Sequence, residues 1–397
     1  MVFALLGPVG FFAPAFLWVL PLIQIVTHRR AIAAEIKDQK FALLWKNSFM
    51  FILPLYGLVS AAWSINPQDS VATSLKVFCF ITLGAILIGV VRQNTTQAMR
   101  RNMFTWVAYG LIATELVILA ELALGGQIYM LLGHEKFSDI VYSRGAVIVA
   151  LTLIPVAVAL ARHMNWMLLA AFVTLGLATI FLLSNESAML LVGVSGIVYA
   201  LVWWKKRLFW AILTLPLLFI LVVPALNLIK LDAADLCAIK AVKSTAAHRI
   251  IIWQFTSKMT MRKPITGWGM DSARSIPGGS DVVSIAKCYD PSLNQMVNYV
   301  GERLPLHPHN SAFQLWLELG AVGVLIALFA MIHLLRRAHG RNAAARGDSP
   351  LIAAVFSSCF LVYSISSGIW QSWLIFACII LFMLTALSGG PRDAAHE

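Results

Sequence analysis

Charge is what this sequence has least of. Asp, Glu, Lys and Arg make up 12% of its 397 residues, about half the share of a soluble domain. A fold solvated by water on all sides is therefore excluded, because 60% of the residues are apolar and the mean hydropathy is +0.81. Cysteine is scarce as well, at five, and no Cys and His recur at zinc-ligand spacing, so neither a zinc module nor another metal centre is expected. Nucleic-acid motifs, tandem repeats and low-complexity tracts are missing too. The net charge of +12 then needs another reading. Lys and Arg collect on the cytoplasmic side of membrane proteins, and the 13 Trp fit the two interfaces.

Apolar runs fall at roughly 2–26, 41–62, 71–91, 103–123, 144–161, 166–183, 188–204, 208–229, 311–335, 351–367 and 371–388. Each is long enough for a span of about 20 residues, which predicts an all-α polytopic membrane protein with about 11–12 transmembrane helices. Ala13-Pro14-Ala15 resembles a signal-peptidase site, but the apolar run continues past it, so it reads as an uncleaved first span. Three parts follow: helices in 1–229, one large loop in 230–310, and helices with a short tail in 311–397. Connections rich in Lys and Arg, such as Lys205-Lys206-Arg207, alternate with connections that hold none, such as Trp63–Ser70, Ser184–Ser187 and Ser366–Trp373. This parity puts the large loop and the N-terminus on the non-cytoplasmic side.

Chemistry concentrates in that loop and at the adjacent span ends. Leu304-Pro305-Leu306-His307-Pro308-His309-Asn310 leads directly into the ninth span. An imidazole titrates near neutrality and can take a proton from a hydroxyl, whereas Asn310 can equally be a helix cap. Residues 247–261 predict a short amphipathic helix in the headgroup layer, with Ile252, Phe255 and Met259 on its apolar side. Arg249 and Trp253 share a face of it, and the planar fork of an arginine suits a pyrophosphate. In Gly267-Trp268-Gly269 the backbone N–H groups can approach an anion or simply form a turn. Arg274 follows in the loop, and Lys76 and Arg144 are cations near non-cytoplasmic span ends. Glu115 lies deep in a span and calls for a cationic partner, while Glu318 and Gly320-x-x-Gly323 suggest close packing of the ninth span on a neighbour. Cys237 and Cys288 both lie in the loop, and an oxidising compartment allows them to close a ring of about 50 residues.

His309-Asn310, nine residues, Gly320, two residues and Gly323 resemble the signature of the O-antigen ligase and polymerase superfamily. Ser60-Ala61-Ala62-Trp63-Ser64-Ile65-Asn66-Pro67, the pair Arg249-x-x-x-Trp253, and Pro264 followed by Gly267-x-Gly269 agree with it. Arg144-Gly145 and the His307-Pro308-His309 run look like the alphaproteobacterial form. One departure stands out: Ser184-Asn185-Glu186-Ser187 has no arginine where many members carry Ser-Arg-Gly.

The resemblance implies a GT-C-like, metal-independent glycosyltransferase with no cofactor, in a bacterial inner membrane with its site facing the periplasm. Its donor would be a glycan on undecaprenyl pyrophosphate and its acceptor lipid A-core, with inversion at the anomeric carbon. An O-antigen or exopolysaccharide polymerase acting on a growing glycan is the alternative. A lipid-linked oligosaccharide transporter is disfavoured, since repeated halves and broken helices are not evident. Catalysis is expected of His309 as base and Arg249 as cation, with Arg144, Lys76, Arg274, His307, Asn310 and Trp253 contacting substrate. Membrane lipids are partners; nucleic acid is not.

Overall fold

The computed structural model describes residues 48–131, 142–228, 231–242, 244–290, 294–340, 347–365 and 367–388. The expected first span at 2–26 lies outside them. Among the described residues the chain is a helical membrane protein. Its bundle helices are α1 (Ile52–Ser60), α2 (Pro67–Asn94), α3 (Gln97–Ala123), the short α4 (Gln127–Leu131), α5 (Ser143–Arg162), α6 (Trp166–Leu182), α7 (Glu186–Trp204) and α8 (Leu208–Val222). Six helices are long and apolar enough to cross a membrane, and four shorter apolar ones accompany them. Every expected span from 71 onward has its helix.

The starts are written locally. Asn66 accepts from the N–H of Asp69 ahead of Pro67, Thr96 from Met99, Asn165 from Leu168 and Asn185 from Ala188, so a side-chain oxygen satisfies an orphan N–H at each. The long segment then forms α9 (Ala233–Val242), α10 (Ser244–Thr260) and an antiparallel hairpin of β1 (Val282–Asp290) and β2 (Gln295–Glu302). Helices α11 (Ser311–His339), α12 (Ser349–Ile365) and α13 (Ser372–Ser388) complete the fold. The sequence reading expected only helices in this loop; the hairpin is an addition to it. Its alternation is half-exposed rather than buried, which gives a weak apolar period. A disulfide joins Cys237 of α9 to Cys288 of β1.

Antiparallel neighbours bring the connections to two ends. At one end Arg162 pairs with Asp348 at 3.0 Å and donates to the Ser388 carbonyl, tying together the ends of α5 and α13 and the start of α12. The other end carries the long segment. There α10 packs its apolar side on the protein, correcting the expectation of a helix lying in headgroups. Ile252 and Met259 are buried with Ala273, Ile276, Leu304 and Leu317. A helix with a protein surface beneath it removes more apolar area from water than one resting on lipid headgroups.

Candidate functional site

Three of the sequence motifs fold into one buttress beneath the site. Helix α11 breaks at Gly320, where φ is 60° and ψ −164°, a region that only glycine adopts without strain. The break frees backbone groups, and the segment after Pro264 satisfies them. Ala321 donates to the Pro264 carbonyl at 2.8 Å and Val322 to Ile265 at 3.2 Å, while Trp268 and Gly269 donate to Leu317 and Glu318 at 3.0 and 2.8 Å. The chains approach so closely that a Cβ on Gly320 would stand 2.4 Å from the Ile265 oxygen, and one on Gly267 2.3 Å from the Glu318 oxygen. Residues 60–70 hold the other side of the loop. Ser60 Oγ accepts from Met270 N–H at 3.0 Å, Ser70 donates to the Met270 carbonyl at 2.6 Å, and the Trp63 indole donates to Thr266 at 3.3 Å.

This decides two readings. The N–H groups of Gly267 and Gly269 are committed to Lys263 and Glu318, so they are not an anion nest. Gly320 and Glu318 serve loop docking rather than packing against another helix. The break is filled by protein backbone, unlike the cavity-lining breaks of transporters. Glu318 is wholly buried and accepts from Asp271 N–H at 2.8 Å, Ala273 N–H at 3.3 Å, Gln314 Nε2 at 2.9 Å and the Trp370 indole at 2.5 Å. Four donors on one carboxylate bind the loop, α11 and the α12–α13 connection together.

On this buttress the histidines stand at the start of α11. Asn310 accepts from the N–H groups of Ala312 and Phe313 at 2.9 and 3.3 Å and is 3% exposed. It is the helix cap, one of the two roles its position allowed. The residue before it, His309, has φ 54°, an uncommon value for a residue with a side chain, although His tolerates it better than most. Its N–H donates to His307 Nδ1 at 3.1 Å, and the two rings lie 4.4 Å apart. His307 Nε2 lies 3.4 Å from the Gln371 amide nitrogen, and a neutral imidazole accepts at only one of its two nitrogens, so the shorter contact at Nδ1 is the better hydrogen bond. Burial, then the neighbouring His309 and Arg274, pull the His307 pKa down to about 4. His307 is therefore neutral at physiological pH. Arg274 itself is exposed and reaches this group only through its field.

Trp253 anchors the histidine loop from the side. Its indole donates to the Pro308 carbonyl at 2.9 Å, and its ring stacks on Phe313 at 5.5 Å. One helical turn earlier, Arg249 is half-buried and donates to the Ile365 carbonyl at 2.7 Å. Burial lowers its pKa, with Glu186 acting in the opposite direction, and a guanidinium stays charged throughout. One Nη1 contact leaves most of its donor fork available. Arg144 lies with its guanidinium carbon 6.0 Å from the Trp373 ring; Trp373 donates to Gln371 at 2.9 Å, and Gln371 meets His307.

Arg249, Arg144, His307 and His309 thus converge on the 365–373 connection, with Trp253 and Asn310 as supports. Lys76 is not joined to them by any hydrogen bond or ion pair among the described residues. It stands one turn past Thr73, whose hydroxyl donates to Asp271 at 2.6 Å. Sequence reasoning missed Gln371, Trp373 and Gln314. Gln314 lies on α11; the connection that holds Gln371 and leads into Trp373 carries no Lys or Arg and served only as a topology marker, so its polar and aromatic residues at a span end were the signal available. Among the described residues no group of three His, Cys, Asp or Glu side chains gathers to hold a metal.

Residues 170–328 match the O-antigen ligase family, a stretch that includes Arg249, both histidines and the broken part of α11. Three Rickettsia proteins, provisionally named polysaccharide ligases, are similar along most of the chain. The one from Rickettsia conorii is 25% identical over 339 residues, covering 84% of this chain and 77% of that protein. The Rickettsia typhi protein is 28% identical over 361 residues (87% and 81%), and that of Rickettsia prowazekii 26% over 366 (89% and 83%). No solved structure matches. Residues 170–328 are therefore similar to the O-antigen ligase family, within a multi-pass membrane protein that resembles the Rickettsia polysaccharide ligases along most of its length.

Proposed function

We propose that this protein is an inverting glycosyltransferase that moves a glycan from undecaprenyl pyrophosphate to a sugar hydroxyl of lipid A-core, at the periplasmic face of a bacterial inner membrane. The observation that carries the reading is the placement of the histidine pair, of which His307 is neutral at physiological pH, and of the half-buried guanidinium of Arg249 at one end of the bundle. His309 takes the proton from the acceptor hydroxyl as the oxygen attacks the anomeric carbon. His307 supports this by staying neutral, because a second imidazolium 4.4 Å away would oppose the first. The bond to pyrophosphate breaks as the new glycosidic bond forms, and the charge on the leaving group falls to Arg249, with Arg144 beside it. A site lined by arginines repels a metal ion, which favours a metal-independent reaction. Arg144 also supplies the cation that Ser184–Ser187 lacks. Lys76 and Arg274 remain outlying cations on the approach.

The relatives' naming as polysaccharide ligases supports transfer to an acceptor over extension of a chain on the carrier. The test is the lipopolysaccharide of a strain lacking the gene, together with its undecaprenyl-linked glycans. Bare lipid A-core with long polymer held on the carrier is expected; core bearing one repeat unit would make the protein a polymerase, and an unchanged ladder would remove lipid A-core as acceptor.

A further inference from the structure

Away from the histidine site, the bundle contains a cluster of polar atoms with no partner. Among the described residues seven buried side-chain oxygens lack a hydrogen bond, and four of them belong to α3 and α6: both carboxylate oxygens of Glu115 and the hydroxyls of Thr114 and Thr179. Glu115 and Thr179 are 0% exposed and Thr114 2%. Several other buried hydroxyls of the bundle settle on their own helix, as Thr152 does on Ile148 at 2.8 Å, Ser195 on Leu191 at 2.7 Å and Ser358 on Ala354 at 2.9 Å, while Ser257, Thr260 and Ser357 are the remaining three without a bond. Thr114 and Thr179 make no such bond.

The carboxylate reaches across the helix interface. Its Oε1 lies 3.1 Å from where a Cβ would stand on Gly176, so the absence of a side chain on α6 makes its space. Val149 and Leu153 of α5 close the same spot, and Thr179 lies three residues on from Gly176, on the same face. Among the described residues no counter-charge faces it. Helix α6 has no titratable residue, and α5 carries Arg144 and Arg162 only at its two ends. On α3, Tyr109 is 50% exposed and Glu121 is engaged by the Tyr129 N–H. The cation that the sequence reading expected beside Glu115 is absent among the described residues.

An unpaired carboxylate in an apolar bundle is strongly disfavoured, and orphan hydroxyls on both facing helices add to the cost. One negative charge is neutralised by one monovalent ion, whereas a divalent ion leaves an excess charge. Oxygen donors favour a hard cation. We propose that Glu115, with the hydroxyl of Thr179 across the α3–α6 interface, forms a buried site for a single monovalent cation, a proton or a sodium ion. The site shares no residue with the transferase site and does not rest on that reading.

Dicyclohexylcarbodiimide, an apolar reagent that attacks protonated carboxyls, tests this on the purified full-length protein in detergent, with adducts located by peptide fragmentation. In sodium-free choline buffer, Glu115 is expected to be modified at about pH 6 and at least about tenfold less at about pH 9. If sodium is the occupant, about 100 mM NaCl slows labelling several-fold at fixed pH; if the proton is, sodium has no effect. Absence of an adduct on Glu115 across this pH range overturns the proposal. So does labelling that is independent of both pH and sodium. Glu115→Gln is the control and should lose that adduct alone.

Discussion

Replacing Gly320 by alanine tests the buttress most directly. At φ 60° and ψ −164° a residue with a Cβ is strained by about 1–3 kcal/mol. The added atom would also stand 2.4 Å from the Ile265 oxygen and 2.7 Å from the Gly267 nitrogen. Both are backbone atoms and cannot rotate aside, so the loop must separate from the break. That separation loses the bonds of Ala321 to Pro264 and of Val322 to Ile265, each worth about 1 kcal/mol net. The total is about 3–5 kcal/mol, a large share of an ordinary folding free energy. Gly193 on α7, with nothing within 4 Å of its would-be Cβ, provides the contrast: Gly193→Ala should be neutral or stabilising by up to about 1 kcal/mol. Tryptophan-fluorescence melting in detergent reads both, since Trp268 lies in the displaced loop. Gly320→Ala should melt about 10 °C lower and lose glycan transfer. A Gly320→Ala protein that melts with the wild type and stays active would refute the docking of this loop as the support of the histidines.

Four further outcomes are expected. His309→Ala should abolish glycan transfer while the protein remains inserted and binds donor; full activity removes His309 as the base. Arg249→Ala should weaken donor engagement by about tenfold or more and Arg249→Lys should not restore it, because an ammonium cannot reproduce the fork; unchanged donor kinetics in both places Arg249 outside the site. His307 has a folded pKa of about 4, below the usual 6.5, so the unfolded chain binds the extra proton between these values. Its contribution to stability is therefore full above pH 6.5 and lost as pH falls toward 4. The melting temperature of wild type should drop over that window more than that of His307→Asn, and parallel curves count against this assignment. Reducing the Cys237–Cys288 bridge, which closes a separation of 51 residues, should destabilise the loop by up to about 4 kcal/mol on the chain-entropy account; a protein with identical mobility on reducing and non-reducing gels, and identical melting, shows that the bridge does not form.

The helices were legible because lipid imposes a demand that composition can meet locally. A span needs a length of apolar residues, and Asn66, Thr96, Asn165 and Asn185 mark starts by caps that act within three residues. The histidines were legible for a related reason, since His307, Pro308, His309 and Asn310 are consecutive. Beyond one helical turn the sequence offered the Cys237–Cys288 pairing, but most other contacts were left open or missed. Gly267-x-Gly269 resembles an anion loop in sequence, and only the fold shows its N–H groups engaged by Glu318 and Lys263. Gln371 carries no local sign of meeting His307, 64 residues away.

By itself, then, the sequence determined the membrane class, the helices and the residues able to move a proton or hold a phosphate, because these depend on side-chain chemistry and short-range period. Only the tertiary structure decided how those residues are held: that Arg249 bonds Ile365, Arg144 lies beside Trp373 and His307 beside Gln371, that Asn310 is a cap, and that Glu318 binds the loop. Those choices rest on hydrogen bonds between segments as far apart as 60–70, 264–273 and 317–322, and no local pattern carries their register.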